Sequence, residues 1–232
     1  MRTLFFSPVG RSAEPLLAKT TECFAAAGAE FLLVQYEDSD LVLPPGVTSL
    51  RDSGTKWQLA RKHLHPDACA AYDYVFVWDD DIDVADFDPA VFTAIMAGNG
   101  LDMAQPSLRS PHGLSHRITG QREITEDMRR ERIAGRLTNF VEIMVPVFSR
   151  EGWRLLHDVL DDGNLSGWGY DYLPIAPRGI VDSMHVVHTR PVQSYSDSAE
   201  AEKVRLLSHY GLFAYPQIEM GWLFHGARTQ NA

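Results

Sequence analysis

Cysteine is scarce in this chain of 232 residues: only Cys23 and Cys69 occur, both inside helix-like segments and without metal-ligand spacing. A disulfide framework and a thiolate metal site are therefore excluded. No apolar segment follows Met1-Arg2 and no hydrophobic run approaches the length of a membrane span. A reduced, cytoplasmic protein with no membrane span is the expectation. Positive charge is also short, with 21 Lys and Arg against 31 Asp and Glu and a formal net charge of −10. That balance argues against a nucleic-acid partner or an anionic membrane surface. What remains is an ordinary globular composition, 45% hydrophobic and 22% charged, long enough to bury one sizeable core.

The first half alternates strand and helix. Strands are predicted over residues 3–6 and 31–36, with a helix over 14–27 that places Leu17, Thr20, Phe24 and Ala27 on one face. A short strand at 47–50 and a helix at 55–64 follow. Asp88 and Pro89 open another helix, and 102–104 reads as a short strand ending at Gln105-Pro106. This order predicts an α/β fold with a largely parallel, doubly wound sheet. The second half is less regular. Residues 117–136 carry six arginines and read either as a solvated helix or as a cover that closes on a diphosphate. Residues 141–148 read as an apolar strand holding one carboxylate, Glu142. Ser149 caps the next helix, and a short helix is predicted after Asp197.

The chemistry concentrates at Tyr74-Val75-Phe76-Val77-Trp78-Asp79-Asp80-Asp81. An apolar strand runs into three carboxylates, which repel one another and need a counter-charge. A hard divalent cation, Mg²⁺ or Mn²⁺, satisfies that need, and the carboxyl ends of strands are where open α/β sheets bind ligands. Asp79 and Asp81 can converge on one ion while Asp80 turns away; a solvated acidic loop is the alternative. An EF-hand fits poorly, because Val84 stands at the turn glycine and Ala90 at the closing glutamate. A haloacid-dehalogenase-type phosphatase fits poorly too, with Asp83 where a threonine belongs. Gly167-Trp168-Gly169-Tyr170-Asp171 offers either an aromatic wall with a carboxylate beside it or a tight turn around a packed tryptophan. His185 and His188 fall on opposite faces of a strand, and His188, at its end, is the candidate ligand. Lys56 precedes the acidic strand as a candidate phosphate contact.

Taken in order, several blocks resemble a family of glycosyltransferase-like proteins long labelled as a domain of unknown function, found in plants and bacteria. The blocks are Gly54-Thr55-Lys56-Trp57, residues 72–82, Gln105-Pro106-Ser107-Leu108, residues 140–149, residues 167–171 and residues 181–188. The wider resemblance is to GT-A glycosyltransferases, which use nucleotide-diphosphate sugars. It implies one GT-A-like domain over 1–232, with a nucleotide-binding half (1–108), an acceptor and metal half (109–190) and a C-terminal tail (191–232). It implies a Mn²⁺ or Mg²⁺ ion on Asp79, Asp81 and His188. It implies a nucleotide-sugar donor, most readily a UDP-sugar, against Asp79, Asp80, Lys56, Trp168 and Gly169, and an acceptor of unknown identity. Asp171 matches the acidic position of an inverting Trp-Gly-x-acidic motif, and Glu142 is the candidate for a retaining reaction. The motif departs from its usual acidic continuation, since Tyr172 and Leu173 follow Asp171. A non-catalytic member of the fold and a metal-dependent phosphatase are the alternatives.

Overall fold

The structure is a computed structural model that describes residues 1–38, 41–45, 47–191 and 197–226; the predicted C-terminal tail lies partly outside them. The first half contains β1 (Thr3–Val9), α1 (Glu14–Ala26), β2 (Glu30–Gln35), β3 (Ser49–Arg51), α2 (Lys56–His63), α3 (Pro66–Cys69), β4 (Tyr74–Val77), β5 (Ile82–Asp86), α4 (Pro89–Asn99) and β6 (Met103–Arg109). The second half contains α5 (Glu126–Arg130), β7 (Ile133–Thr138), β8 (Val147–Ser149), α6 (Arg150–His157), β9 (Arg178–His188), α7 (Asp197–His209) and β10 (Glu219–Phe224).

The strands form one sheet in the order β10-β7-β9-β6-β8-β4-β1-β2-β3, with β5 paired to β9. Its first half is parallel throughout: β1 with β2 and β4, and β2 with β3. β6 and β9 are parallel as well, while β8, β7, β10 and β5 join their neighbours antiparallel. β1 is buried at every position, as a central strand covered on both faces requires. Alternation sorts its residues: Phe5 and Phe76 face a core with Phe24, Trp78, Phe87 and Phe92, while Phe6, Val75 and Val77 face Trp57, Trp153 and Tyr170.

Local signals set the helix ends. The Asp88 carboxylate accepts the Ala90 and Val91 amides, and Gly100 closes α4 with φ of +62°. Thr55 and Gln58 form a capping box on α2, and the Ser149 hydroxyl caps α6 while bonding Asp102.

Three expectations are corrected. β6 runs on to Arg109 rather than ending at Pro106, because it stays paired with β9 along that length, while β8 pairs only Met103 and Ala104 and leaves no ladder on its side for a proline to break. Residues 141–146 are a loop, not a strand. Its backbone groups are taken by partners outside any ladder: the Glu142 amide donates to Gln105 Oε1, and the Ile143 and Met144 carbonyls accept from Lys56 Nζ. Residues 117–136 are not one helix: they divide into a 3-10 turn, α5 and β7, and only α5 is the solvated helix expected, with Arg129 and Arg130 paired to Glu126 and Asp127. Arg136 ends up buried in β7, bonded twice to Asp182, once to Glu219 and once to the Gly120 carbonyl.

Candidate active site

The acidic triplet leaves β4 at its carboxyl end, and each carboxylate meets a different partner. Asp79 pairs with Lys56 Nζ at 2.6 Å. Burial pushes its pKa up and the ammonium pulls against that shift. Lys56 is fully committed, since it also bonds the Ile143 and Met144 carbonyls at 2.6 and 3.2 Å. It therefore tethers the Glu142 loop to the triplet. Asp80 accepts from the Gly10 amide at 3.0 Å and the Tyr36 hydroxyl at 3.3 Å. A side chain at Gly10 would collide with the Tyr36 phenol, so this approach requires glycine.

Asp81 is buried and pairs with His188 Nε2 at 3.1 Å. Burial works against its charge, but the imidazole bond, His188 itself and Arg190 outweigh it and hold the carboxyl below its ordinary range. The same bond to Asp81 raises His188. Pairing of Ile82 with His188 across β5 and β9 sets this contact, and Thr189 locks it by donating twice to the Asp81 carbonyl. The second carboxylate oxygen, Oδ1, is buried without a partner among the described residues. His185, as its register predicts, goes elsewhere and meets Asp86 at 3.2 Å.

Glu142 and Asp171 complete the acidic interior. Glu142 is raised to about 7, first by burial and then by the charge of Asp171, with His188 and Asp79 also within its field. Asp171 is raised to about 7 by burial, against hydrogen bonds from its own and the Gly169 amides. Each has one buried oxygen with no partner among the described residues. Two carboxyls that influence one another titrate as a pair near neutrality, the range useful for proton transfer.

The glycines around Asp171 are dictated by packing. Gly167 (φ +75°) lies against the Trp57 ring, and Gly169 (φ +99°) lies where a Cβ would stand 2.9 Å from Leu206. Trp168 stacks under Lys203 of α7, 5.5 Å from its ring centre. The Trp168 N–H donates to Ser166 Oγ, and the Asn164 side-chain amide donates to the Trp168 carbonyl and accepts from the Gly167 N–H. Among the described residues no group of three His, Cys, Asp or Glu side chains is arranged to hold a metal ion. The preformed pair is Asp81 with His188.

Several contributors escaped the sequence reading. Arg190 lies 3.4 Å from Asp80 and 3.9 Å from Asp81, and its only sequence signal is its place two residues beyond His188. Gln105 fixes Glu142 through a backbone bond that no pattern announces. Arg178 is buried, donating to the Asp171 carbonyl at 3.0 Å and to the Tyr215 hydroxyl at 2.7 Å.

Residues 47–210 match the profile of a protein family of unknown function, DUF707. The chain belongs to that family. The DUF707 segment contains Lys56, the acidic triplet, Glu142, Asp171 and His188, whereas Gly10, Tyr36 and Tyr215 lie outside it. No curated protein matches the sequence. In three dimensions this DUF707 protein is similar to GalNAc-T7 solved with UDP, GalNAc and Mn²⁺. The TM-score is 0.64 at 13% identity, over 90% of this chain and 48% of the other. It is also similar to S. aureus TarS 1–349 in complex with UDP, with a TM-score of 0.52 at 11% identity, over 89% of this chain and 64% of the other. The chain thus spans about half of GalNAc-T7 and under two thirds of TarS 1–349. At such identities the likeness establishes the fold, which is that of GT-A glycosyltransferases. No helix among the described residues is long and apolar enough to cross a membrane.

Proposed function

We propose that this protein is a metal-dependent, inverting glycosyltransferase that moves a sugar from a nucleotide-diphosphate donor, a UDP-sugar, to an acceptor hydroxyl. One observation carries the reading. Among the described residues Asp81, Glu142 and Asp171 each hold a buried carboxylate oxygen without a partner. Leaving such groups unsatisfied is costly, and a site retained at that cost is one that a ligand completes.

The donor set suits the ion. Asp81 Oδ1 is a hard oxygen ligand and His188 an imidazole, so the pair fits Mn²⁺ or Mg²⁺ with remaining ligands drawn from a diphosphate. Asp79 joins them once Lys56 yields its hold. When bound, the ion supplies charge neutralisation for the departing nucleotide diphosphate. Arg190, beside Asp80 and Asp81, adds a guanidinium suited to phosphate oxygens. Asp171 takes the proton from the acceptor hydroxyl as that oxygen forms the new bond to the anomeric carbon and the bond to the diphosphate breaks. Its pKa of about 7 makes it half-ionised at neutral pH, strong enough as a base and present in sufficient amount. Glu142, raised to a similar value, shapes the field around Asp171.

The ion pair between Asp79 and Lys56 favours a second reading, a nucleotide-sugar-binding protein without transfer, because it withholds one carboxylate from the metal. Calorimetry of UDP with and without Mn²⁺ tests the donor site. Metal-dependent binding should be present in the parent and weakened about a hundredfold or more in Asp81→Asn at unchanged melting temperature. Equal affinity in the variant removes Asp81 from the site. Sugar release without an acceptor, or none at all, then separates transferase from binder.

A further inference from the structure

Of the three expected metal ligands, Asp81 and His188 bond one another, and among the described residues no third acid or imidazole completes a cluster with them. The missing member is Asp79. It is close enough to feel the charges of Asp80 and Asp81, yet its carboxylate is bonded to Lys56 at 2.6 Å. A lysine ammonium has three N–H donors, and here it meets three oxygens. They are Asp79 Oδ1 and the Ile143 and Met144 carbonyls, the last two at 2.6 and 3.2 Å. One carboxylate with two carbonyls is also the kind of oxygen set that a hard cation collects.

Local structure fixes where this charge sits. Lys56 is the first residue of α2, whose start is set by the Thr55–Gln58 capping box. Gln58 also donates to the Asp162 carbonyl, which anchors the same turn from outside. The next residue, Trp57, is buried; its ring packs against Gly167 and carries the Lys56 ammonium 5.2 Å from its centre. A cation over an indole face is favourable. The carbonyl side of the arrangement does not depend on the lysine. The Met144 carbonyl also accepts from the Asp79 amide, and the Pro146 carbonyl from the Val77 amide, both at 3.1 Å. Release of the Asp79 carboxylate would therefore leave Lys56 with two oxygen partners and the 144–146 segment with its backbone bonds.

We propose that Lys56 is a positioning residue that acts as the site's internal counter-ion: it holds Asp79 in the unliganded protein and competes with a divalent ion for that carboxylate. The proposal rests on the metal-dependent reading above. Two cations drawn to one carboxylate repel each other, so removing the ammonium both frees a ligand and removes that repulsion. A residue that merely supported the fold would have the opposite signature, since its loss would weaken binding.

The test is calorimetry of Mn²⁺, alone and with UDP, on the parent, Lys56→Met and Lys56→Arg, beside melting curves with and without Mn²⁺. Lys56→Met should bind Mn²⁺ at least about tenfold more tightly than the parent. Its melting temperature, lowered without metal, should rise further than the parent's when Mn²⁺ is added. Lys56→Arg keeps the charge and should bind Mn²⁺ within a few-fold of the parent. Adding Asp79→Asn to Lys56→Met should abolish the gain. If Lys56→Met does not fold, Lys56→Gln, which keeps N–H donors for the carbonyls without the charge, should show the same tightening. Equal or weaker Mn²⁺ binding in the neutral variant, or a gain that survives Asp79→Asn, overturns the proposal and leaves the metal-dependent reading standing. Mn²⁺ bound by none of the chains, with or without UDP, overturns that reading and the proposal with it.

Discussion

Two acidic regions of this protein are built on opposite principles. The triplet at the end of β4 is compensated throughout: Asp79 by Lys56, Asp80 by Gly10, Tyr36 and Arg190, Asp81 by His188. Among the described residues Glu142 and Asp171 have no cation in bonding distance, and both are pushed up to about 7. Burial still raises Asp79 and Asp80, but their partners pull against that shift, and Asp81 is held below its ordinary range. A carboxylate so partnered is suited to hold cations or position phosphates. An uncompensated one carries a proton near neutral pH and is suited to exchange it. Buried Asp182 shows that the fold can neutralise an interior carboxylate when it uses one structurally, because Arg136 meets it with two hydrogen bonds. The lack of such a partner at Asp171 is then a property of the site rather than of the interior.

The contrast breaks most visibly at Asp182. Arg136→Met should leave that buried carboxylate without its ion pair, held only by the Arg122 amide, and cost about 3–5 kcal/mol, read from denaturant midpoints. Adding Asp182→Leu should recover most of the loss, because removing both charges removes the penalty. A single variant as stable as the parent would mean that interior carboxylates here need no partner, and the distinction drawn at Asp171 would lose its basis.

The uncompensated pair predicts the reverse sign. A carboxyl whose folded pKa is raised stabilises the fold fully only below its unfolded pKa, near 4, and that contribution is lost as pH rises through about 7. Asp171→Asn and Glu142→Gln remove the ionisation, so each should raise the melting temperature at pH 8 and do little at pH 4. The gain at pH 8 should be on the order of 4 kcal/mol for Asp171→Asn and about 3 kcal/mol for Glu142→Gln. Asp171→Asn should also slow transfer by about a thousandfold, while the parent rate climbs with pH through about 7. A melting-temperature gain independent of pH would show that both carboxyls are ordinary buried acids.

How much of this was legible beforehand depended on whether the deciding interaction was local. The strand-to-triplet junction, the Asp88 and Ser149 caps and the choice of His188 over His185 all follow from residues adjacent in sequence or from strand alternation. The 141–146 loop misled because its composition is apolar and β-like, and its fate is set by Gln105 and Lys56, 37 and 87 residues away from their contacts. The arginine-rich stretch misled in the same way. Charge on a sequence suggests solvent, and nothing near Arg136 signals that Asp182 and Glu219 will enclose it. Arg190 and Tyr215 were invisible because each acts on groups brought to it only by β9 and by the chain beyond α7.

The smallest effect examines whether that C-terminal chain belongs to the site. The Tyr215 hydroxyl accepts from Arg178 and lies 3.0 Å from the Asn139 and Tyr172 carbonyls, while Arg178 donates to the Asp171 carbonyl. Tyr215 lies outside the DUF707 segment, yet through Arg178 it braces the residue proposed as the base. Tyr215→Phe deletes one hydroxyl from a half-buried ring and should cost about 1 kcal/mol of stability. If Tyr215 only fills space, turnover and its pH profile should match the parent. If it positions Asp171, kcat should fall several-fold at constant KM for the donor, with the acidic limb of the pH profile displaced. The guanidinium would then have lost its acceptor and changed its hold on the Asp171 backbone. The pH displacement is the deciding readout, since lost packing alone would leave it where the parent has it.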